Sequence, residues 1–284
     1  MSQFTPGIDV SRWQGAINWQ TVAASGYKFA VIRATVSHHY TDPRFYINWE
    51  GAKNAGLLVS AYHVIKPDHP AAAQIERLFN VLDNRRADFP LVLDVELDRG
   101  KTKAEITESV RQCLQLMKER DGRPPIVYTG KWFWDDFVSS SSKWAGYDLW
   151  AAHYEVAQPT LPRGWSEWKF WQYSETGRVA GVGSQNTDLN WFNGSYEALQ
   201  AYAGQPDTSS ETGDVLAAGT RVRVSAPTLK IRSGPGVNYD HIGDLPEGTL
   251  LSVRSIRGKD VWVEFEPGQW AAFSYQGFVY MTLD

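Results

Sequence analysis

Three features of the sequence predict an α/β fold: an irregular (β/α) barrel followed by a small all-β barrel. Between Gly7 and Phe192, short β-rich apolar runs alternate with amphipathic stretches, and buried strands alternating with helices imply a parallel sheet. Eight such runs fall within about 190 residues, and the last three connections are too short for full helices, so the barrel is expected to be irregular. After residue 203 the composition becomes small and polar, and beyond it strand-like runs recur every 8–12 residues between turn signals.

In chain order, the predicted strands are Gly7–Val10, Phe29–Ala34, Leu57–Val64, Pro90–Glu96, Ile126–Thr129, Asp148–His153, Lys169–Tyr173 and Asp188–Trp191. Asp42-Pro43 is expected to open a helix by side-chain capping and a preset φ, and Gly56 to stop it. Thr102-Lys-Ala-Glu105 reads as a capping box for the next clear helix, closed by Gly122 and Pro124. Residues 1–203 form the expected barrel, 204–219 a linker, and 220–284 the β domain, whose turns lie at Ser233-Gly-Pro-Gly236, Pro246-Glu-Gly248 and Pro267-Gly268.

The 284 residues carry a formal net charge of −4, which gives no electrostatic case for a nucleic-acid partner. No apolar run is long enough for a membrane span. The lone cysteine, Cys113, falls on the apolar face of a predicted helix with Ile106, Val110, Leu114 and Met117 and is expected to be a buried, inert thiol. The N-terminus shows neither the charged nor the apolar segment of a secretory signal. The unusual quantity is aromatic content, 13 Trp and 13 Tyr, which suits a core but also suits stacking on sugar rings.

Asp94 and Glu96 end the fourth predicted strand two residues apart, so both side chains project from one face. Close like charges cannot both ionise cheaply, so the more enclosed carboxyl has its pKa raised and can act as an acid near neutral pH. A (β/α) barrel places its chemistry at the carboxyl ends of its strands. Asp9 ends the first strand and Asp188 lies in the last; these strands are neighbours in a closed barrel, so four carboxylates are expected around one mouth. Such a set serves divalent-metal binding or glycosidic cleavage. Metal is the weaker choice, because no histidine stands at a ligand spacing with these acids and the His38-His39 pair cannot put both rings on one ion from a strand. Trp13, Tyr62, Tyr128, Trp150, Tyr154, Trp171 and Trp191, all at or near predicted strand ends, favour a saccharide groove as a set.

Together, Gly7-Ile-Asp-Val-Ser-x-Trp-Gln-Gly15, Tyr40-x-Asp-Pro43, Ala61-Tyr-His63, Asp94-x-Glu96, Leu149-Trp-Ala-Ala-His-Tyr154, Trp171-Gln-Tyr173 and Asp188-x-Asn190 resemble glycoside hydrolase family 25, in order through residues 6–202. These are Chalaropsis-type lysozymes, N-acetylmuramidases on an irregular, TIM-like (β/α) barrel. The resemblance implies Glu96 as general acid and Asp94 as the group that orients the substrate N-acetyl and stabilises the charged intermediate. It implies Asp9 and Asp188 as supports for these two and for the sugar, and Tyr62 as a residue that holds the intermediate. With Tyr62, the strand-end aromatics Tyr128, Trp150 and Tyr154, and Gln172 of the Trp171-Gln-Tyr173 motif, are expected to bind substrate. The resemblance implies no metal and no cofactor. Two positions depart from the family: Ala34-Thr-Val-Ser37 stands where many members have Ala-Thr-Glu-Gly, and His63-Val64 stands where an aromatic is usual. Both place groove contacts in question. A chitinase-type hydrolase is disfavoured, since the longer Asp-x-x-Asp-x-Asp-x-Glu run is absent and Val92 and Leu93 precede Asp94.

The tail, Leu229-Lys-Ile-Arg-Ser-Gly-Pro-Gly236 with Ile242-Gly-Asp-Leu-Pro-Glu-Gly-Thr249, resembles a bacterial SH3 domain, which implies binding to peptidoglycan peptides. From Thr220 it carries 7 Lys/Arg and 7 Asp/Glu, so its expected contacts are Tyr239, Trp262, Trp270, Phe273 and Tyr275 rather than net charge. The whole reads as a peptidoglycan muramidase with a wall-binding module, the plan of many phage endolysins. It is expected to act on the wall after secretion or, as endolysins do, after release through a holin pore.

Overall fold

The structure, a computed structural model, describes residues 4–204, 219–237, 239–257, 261–275 and 278–284. The chain divides into two compact units, Met1–Pro206 and Asp207–Asp284. All but the end residues of the expected linker lie outside the described residues.

The first unit runs β1 (Thr5–Val10), α1 (Trp19–Ala24), β2 (Phe29–Val36), β3 (Tyr40–Thr41), α2 (Phe45–Asn54), β4 (Leu58–Val64), α3 (Ala71–Leu82) and β5 (Val92–Asp94). It continues through α4 (Lys103–Asp121), β6 (Ile126–Gly130), α5 (Lys131–Phe137), β7 (Leu149–Ala152), β8 (Phe170–Gly177), β9 (Thr187–Phe192) and α6 (Tyr196–Tyr202). Eight strands close into a ring in the order β1-β2-β4-β5-β6-β7-β8-β9, with β3 a short antiparallel addition to β2. The ring is not wholly parallel. β9 runs antiparallel to both neighbours, β8 and β1, because the link from β8 to β9 is a hairpin-like return with no crossover helix.

Helix ends follow local chemistry. The capping box of α4 is present on both sides: Thr102 Oγ1 accepts from Glu105 N, and Glu105 accepts from Thr102 N at 2.9 Å; Gly122 closes the helix at φ 79°. Asp42 does not cap α2 as expected. Its Oδ1 accepts from Arg44 N at 2.9 Å and its Oδ2 takes the Arg33 guanidinium and Arg12 N, so it ties β2 and the turn after β1 to the turn before the helix.

Alternation along the strands sorts two cores. Ile8, Val10, Ala30, Ile32, Val59, Ala61, Leu93 and Val95 face outward to the helices, packing with Ile75, Leu78, Val110, Leu114 and Met117. Cys113 is buried there too, its thiol pushed up to about 12 by desolvation. Phe29, Val31, Leu58, Val92, Ile126, Tyr128, Trp150, Phe170 and Phe192 fill the interior. At its amino end Phe29, Phe89 and Phe170 form an aromatic plug with centroids 5.4–6.0 Å apart. The interior is thereby sealed at one end and left polar at the other.

The second unit is all strand among its described elements: β10 (Arg221–Val224), β11 (Thr228–Arg232), β12 (His241–Pro246), β13 (Leu250–Ser252), β14 (Ser255–Arg257), β15 (Trp262–Glu266), β16 (Gln269–Ala272), β17 (Ser274–Tyr275), β18 (Phe278–Val279) and β19 (Met281–Leu283). Its pairings are antiparallel, around Val222, Val224, Leu229, Leu245, Val253, Val263, Ala271 and Met281. Trp262 and Trp270, expected as recognition residues, are buried against Ala272, whereas Tyr239 is exposed. Among the described residues, no helix is long and apolar enough to cross a membrane.

Gly7 has a steric reason. A Cβ there would sit 2.3 Å from the Phe29 ring, which the plug holds in place. Gly7→Ala is expected to overpack the interior and lower unfolding stability by about 1–3 kcal/mol, read as a drop in urea midpoint with unchanged slope. A midpoint equal to wild type would show that the plug can shift.

Candidate active site

The open, carboxyl end of the barrel holds a pocket of about 200 Å³ lined by Asp9, Tyr62, Val92, Asp94, Glu96, Tyr128, Trp150, Tyr154, Gln172, Glu175 and Asp188. Asp9, Asp94, Glu96 and Asp188 meet there with Tyr62, Tyr128, Trp150, Tyr154 and Gln172, the nine residues expected to be catalytic or substrate-binding. Each arrives by alternation: Gly7 and Asp9 on β1, Ser60 and Tyr62 on β4, Val92 and Asp94 on β5, Asn190 and Asp188 on β9. Glu96 follows two residues beyond the end of β5.

Asp188 reaches the mouth because β9 is reversed. It lies near the start of its strand, and in a parallel strand that position would fall at the sealed end. Antiparallel pairing puts it directly opposite Asp9. The two carboxyls share a hydrogen bond, with Asp188 pushed up to about 9, first by burial and then by the Asp9 charge. Asp9 itself is raised only to about 6: burial lifts it, and hydrogen bonds from Asn190 and Gln172 pull it back. Near neutral pH Asp188 is therefore the protonated donor and Asp9 the anion.

A braced network surrounds that anion. Asp9 Oδ2 accepts from Gln172 Nε2 and Asn190 Nδ2, each at 2.8 Å. Trp150 Nε1 donates to Asn190 Oδ1 at 2.9 Å. Tyr128 and Tyr154 hydroxyls donate to Gln172 Oε1 at 2.8 and 2.6 Å. Gln172 and Trp150 thus line the pocket but commit their polar atoms to neighbours.

Asp94 is different. It is buried, and its Oδ1 has no hydrogen-bond partner. Its pKa is raised well above the carboxylate range, first by burial, then by Glu96 and Asp9, with Arg33 opposing. Glu96 stands at the exposed rim; its pKa is also raised, by lost solvent in the concave mouth and then by Asp9. The enclosed member of the pair is Asp94, and the accessible one is Glu96.

Three residues matter here that sequence reasoning left without a role. Asn190 shares a strand face with Asp188, so its place was legible. Arg33 follows Phe29 and Val31 on the inner face of β2 and is held by Asp42. Glu175 had no signal: the register of β8 against β9 slips after Gln172, and this bulge brings Glu175, three residues on, into the same pocket. Conversely, Trp13, Trp171 and Trp191 do not line the pocket; Trp171 Nε1 donates to the His153 carbonyl and Trp191 stacks on Tyr173. His63 points outward, fully buried, with Nδ1 2.7 Å from Thr35 Oγ1, and Val64, on the strand face that carries Tyr62, is not among the residues that line the pocket. Ser37, at the family's glycine position, is buried and adopts φ 52°. Among the described residues, no group of three or more His, Cys, Asp or Glu is placed to hold a metal ion.

A family model described as Glycosyl hydrolases family 25 matches residues 8–182. Lysozyme M1 of Streptomyces globisporus is 38% identical over 210 residues, covering 69% of this chain and 70% of that protein. The N,O-diacetylmuramidase of Chalaropsis sp. is 26% identical over 212 residues, covering 69% and 98%. A crystal structure of the bacterial lysozyme from Streptomyces coelicolor superposes with a TM-score of 0.67 at 36% identity, covering 72% of this chain and 98% of that one.

The raised Asp188 pKa has a sign that can be tested. The native state holds its proton up to about pH 9, while the unfolded chain releases it near 3.8. This stabilisation is complete below about pH 4 and is lost as pH rises toward 9. An amide in place of the acid can still donate to Asp9 and has no proton to lose. The melting temperature of Asp188→Asn relative to wild type is therefore expected to climb from pH 5 to pH 8.5. A constant difference across that range would show that Asp188 titrates normally.

Proposed function

The chain belongs to glycosyl hydrolases family 25, and from that membership we propose a peptidoglycan muramidase that cleaves β-1,4 bonds between N-acetylmuramic acid and N-acetylglucosamine with retention. The observation that carries this reading is the pairing of a rim carboxyl, Glu96, with a buried carboxyl, Asp94, whose Oδ1 has no partner.

In this mechanism Glu96 gives its proton to the glycosidic oxygen as the C1–O bond breaks. The carbonyl oxygen of the substrate's 2-acetamido group attacks C1, forming a cyclic oxazolinium. Asp94 Oδ1 receives the acetamide N–H, orienting the attack and stabilising the positive charge that develops. That N–H also favours the ionised form of Asp94, so the proton held by the pair settles on Glu96. Water then adds to C1 while Glu96 takes its proton, and the ring opens to a product of unchanged anomeric configuration. Asp9, its amide braces and Asp188 hold the floor of the site, and Tyr62 borders the reacting sugar.

The second unit is proposed to be an SH3-like, wall-binding module that raises the barrel's local concentration at the wall. The repeated turn motifs, the all-antiparallel strands and the balanced charge support that reading. The protein acts on the wall after secretion or release.

Glu96→Gln is expected to lose at least about 10²-fold in wall hydrolysis with little change in melting temperature, and Asp94→Asn to be severely impaired as well. More than a tenth of wild-type activity in Glu96→Gln would remove it as the acid. Mass spectrometry of the released fragments should find muramic acid at the reducing end; glucosamine there would indicate a glucosaminidase.

Residues 207–284 alone are expected to sediment with purified peptidoglycan and to stay bound in about 0.5 M salt, where the Debye length is only several Å. Release by salt would mark the contact as electrostatic.

A further inference from the structure

Two tryptophans stand out on the surface of the first unit. Trp13 is 68% exposed and Trp132 is 66% exposed, more than any other large hydrophobic side chain among the described residues. Single exposed apolar side chains are ordinary on a protein surface; what distinguishes these two is where they stand. Trp13 lies in the short turn directly after β1, and Trp132 in the first turn of α5, directly after β6. Both positions are carboxyl ends of strands, on the rim of the mouth that holds the acids. In the closed ring β1 and β6 are four strands apart in either direction. The two indoles therefore stand on opposite rims, with the carboxylate pocket between them.

Neither ring is loose. The Arg12 guanidinium lies 4.3 Å from the Trp13 ring centroid and covers one face, leaving the other open. Trp132 lies against Gly130, where a Cβ would come 2.6 Å from its Nε1, and it meets Phe133 edge-on at 5.7 Å. A glycine ending β6 lets the indole settle on bare backbone. Each aromatic face is thus held in place before any ligand arrives, which reduces the ordering cost of stacking on it.

We infer that Trp13 and Trp132 are stacking platforms for hexosamine rings of the glycan on either side of the scissile bond, so that the enzyme grips a long strand at both ends of its groove. The inference rests on the muramidase reading and specifies how that site measures chain length. Pyranose rings carry an axial C–H face that is apolar, and a flat indole covers it without needing a particular hydroxyl pattern. The platforms would therefore favour length over sequence along the strand.

The test uses the full chain with Trp13→Ala, Trp132→Ala and the double variant, assayed on purified glycan tetrasaccharides and on long glycan strands. Both side chains are exposed, so melting temperatures should hold. For each single variant the fall in kcat/KM should grow with chain length, reaching about tenfold more loss on strands than on tetrasaccharides, mostly through KM. Phenylalanine at either position should restore part of it. In a Glu96→Gln background, strands should quench tryptophan fluorescence, and removal of either indole should reduce the quench. Equal losses at every length, or none, would overturn the platforms while leaving the muramidase assignment intact. Quenching that depends on these indoles in a wild-type protein that cleaves no glycan would leave the platforms and overturn the hydrolytic reading.

Discussion

The carboxylate of Asp9 sits at the seam where the barrel closes, and most of the mouth is arranged around it. Its Oδ2 receives two side-chain amides from two different strands, β8 and β9, and each amide is braced in turn. Trp150 orients Asn190, and Tyr128 with Tyr154 orients Gln172. Five strands are linked through one oxygen. An unpaired anion at this depth would be prohibitive; paired this way, it sets the amide orientations and leaves Asp94 as the member with an oxygen still to satisfy.

Electrostatics then divides the four acids into distinct states. Asp188 keeps its proton and donates it toward Asp9; Asp9 stays anionic because it collects donors; Asp94 and Glu96 contend for protons under the combined field of the others. A proton-donating acid near neutral pH is therefore a property of the group and not of one residue. The opposite constraint acts behind the sheet. His63 is buried neutral, its pKa pushed down to about 4 by desolvation. Its contribution to stability is whole above about 6.5 and is lost as pH falls toward 4, a span worth about 3 kcal/mol. The mouth resists alkali poorly and the strand backing resists acid poorly, so the fold is best held between them.

Much of the barrel was legible: short apolar runs located all eight strands of the ring, period-two alternation put Asp94 and Glu96 on one face, and strand ends placed Asp9 and Tyr62 near the mouth. Strand direction was not legible. Nothing in Asp188-x-Asn190 states that β9 is reversed, because an apolar strand reads alike in both directions; the expectation that Asp188 faces the other acids was met by a geometry different from the parallel one assumed. A bulge is a register slip against a partner, so Glu175 left no trace in the sequence of its own strand. Trp171 and Trp191 were misplaced for a related reason, since a residue at a strand end can face either way. Asp42 bonded across strands where local pattern suggested a cap, a case of tertiary contacts overriding local preference.

The reversed closing strand also bears on how the protein is made. β1 leaves the ribosome before the other strands of its unit, yet its partner β9 is the last of them, and Asp9 pairs with Asp188 only when that strand has emerged. Until then the nascent sheet carries one edge of β1 unpaired, and such edges are prone to association with other chains. The long wait is a contact of high sequence separation, which slows folding. It also sets an order of events: Asp94 and Glu96 are synthesised and can pack early, but the anion and donor that complete their field are delivered by the final strand. A partially synthesised barrel can therefore assemble most of its hydrophobic interior while the cluster of four acids at its mouth remains incomplete.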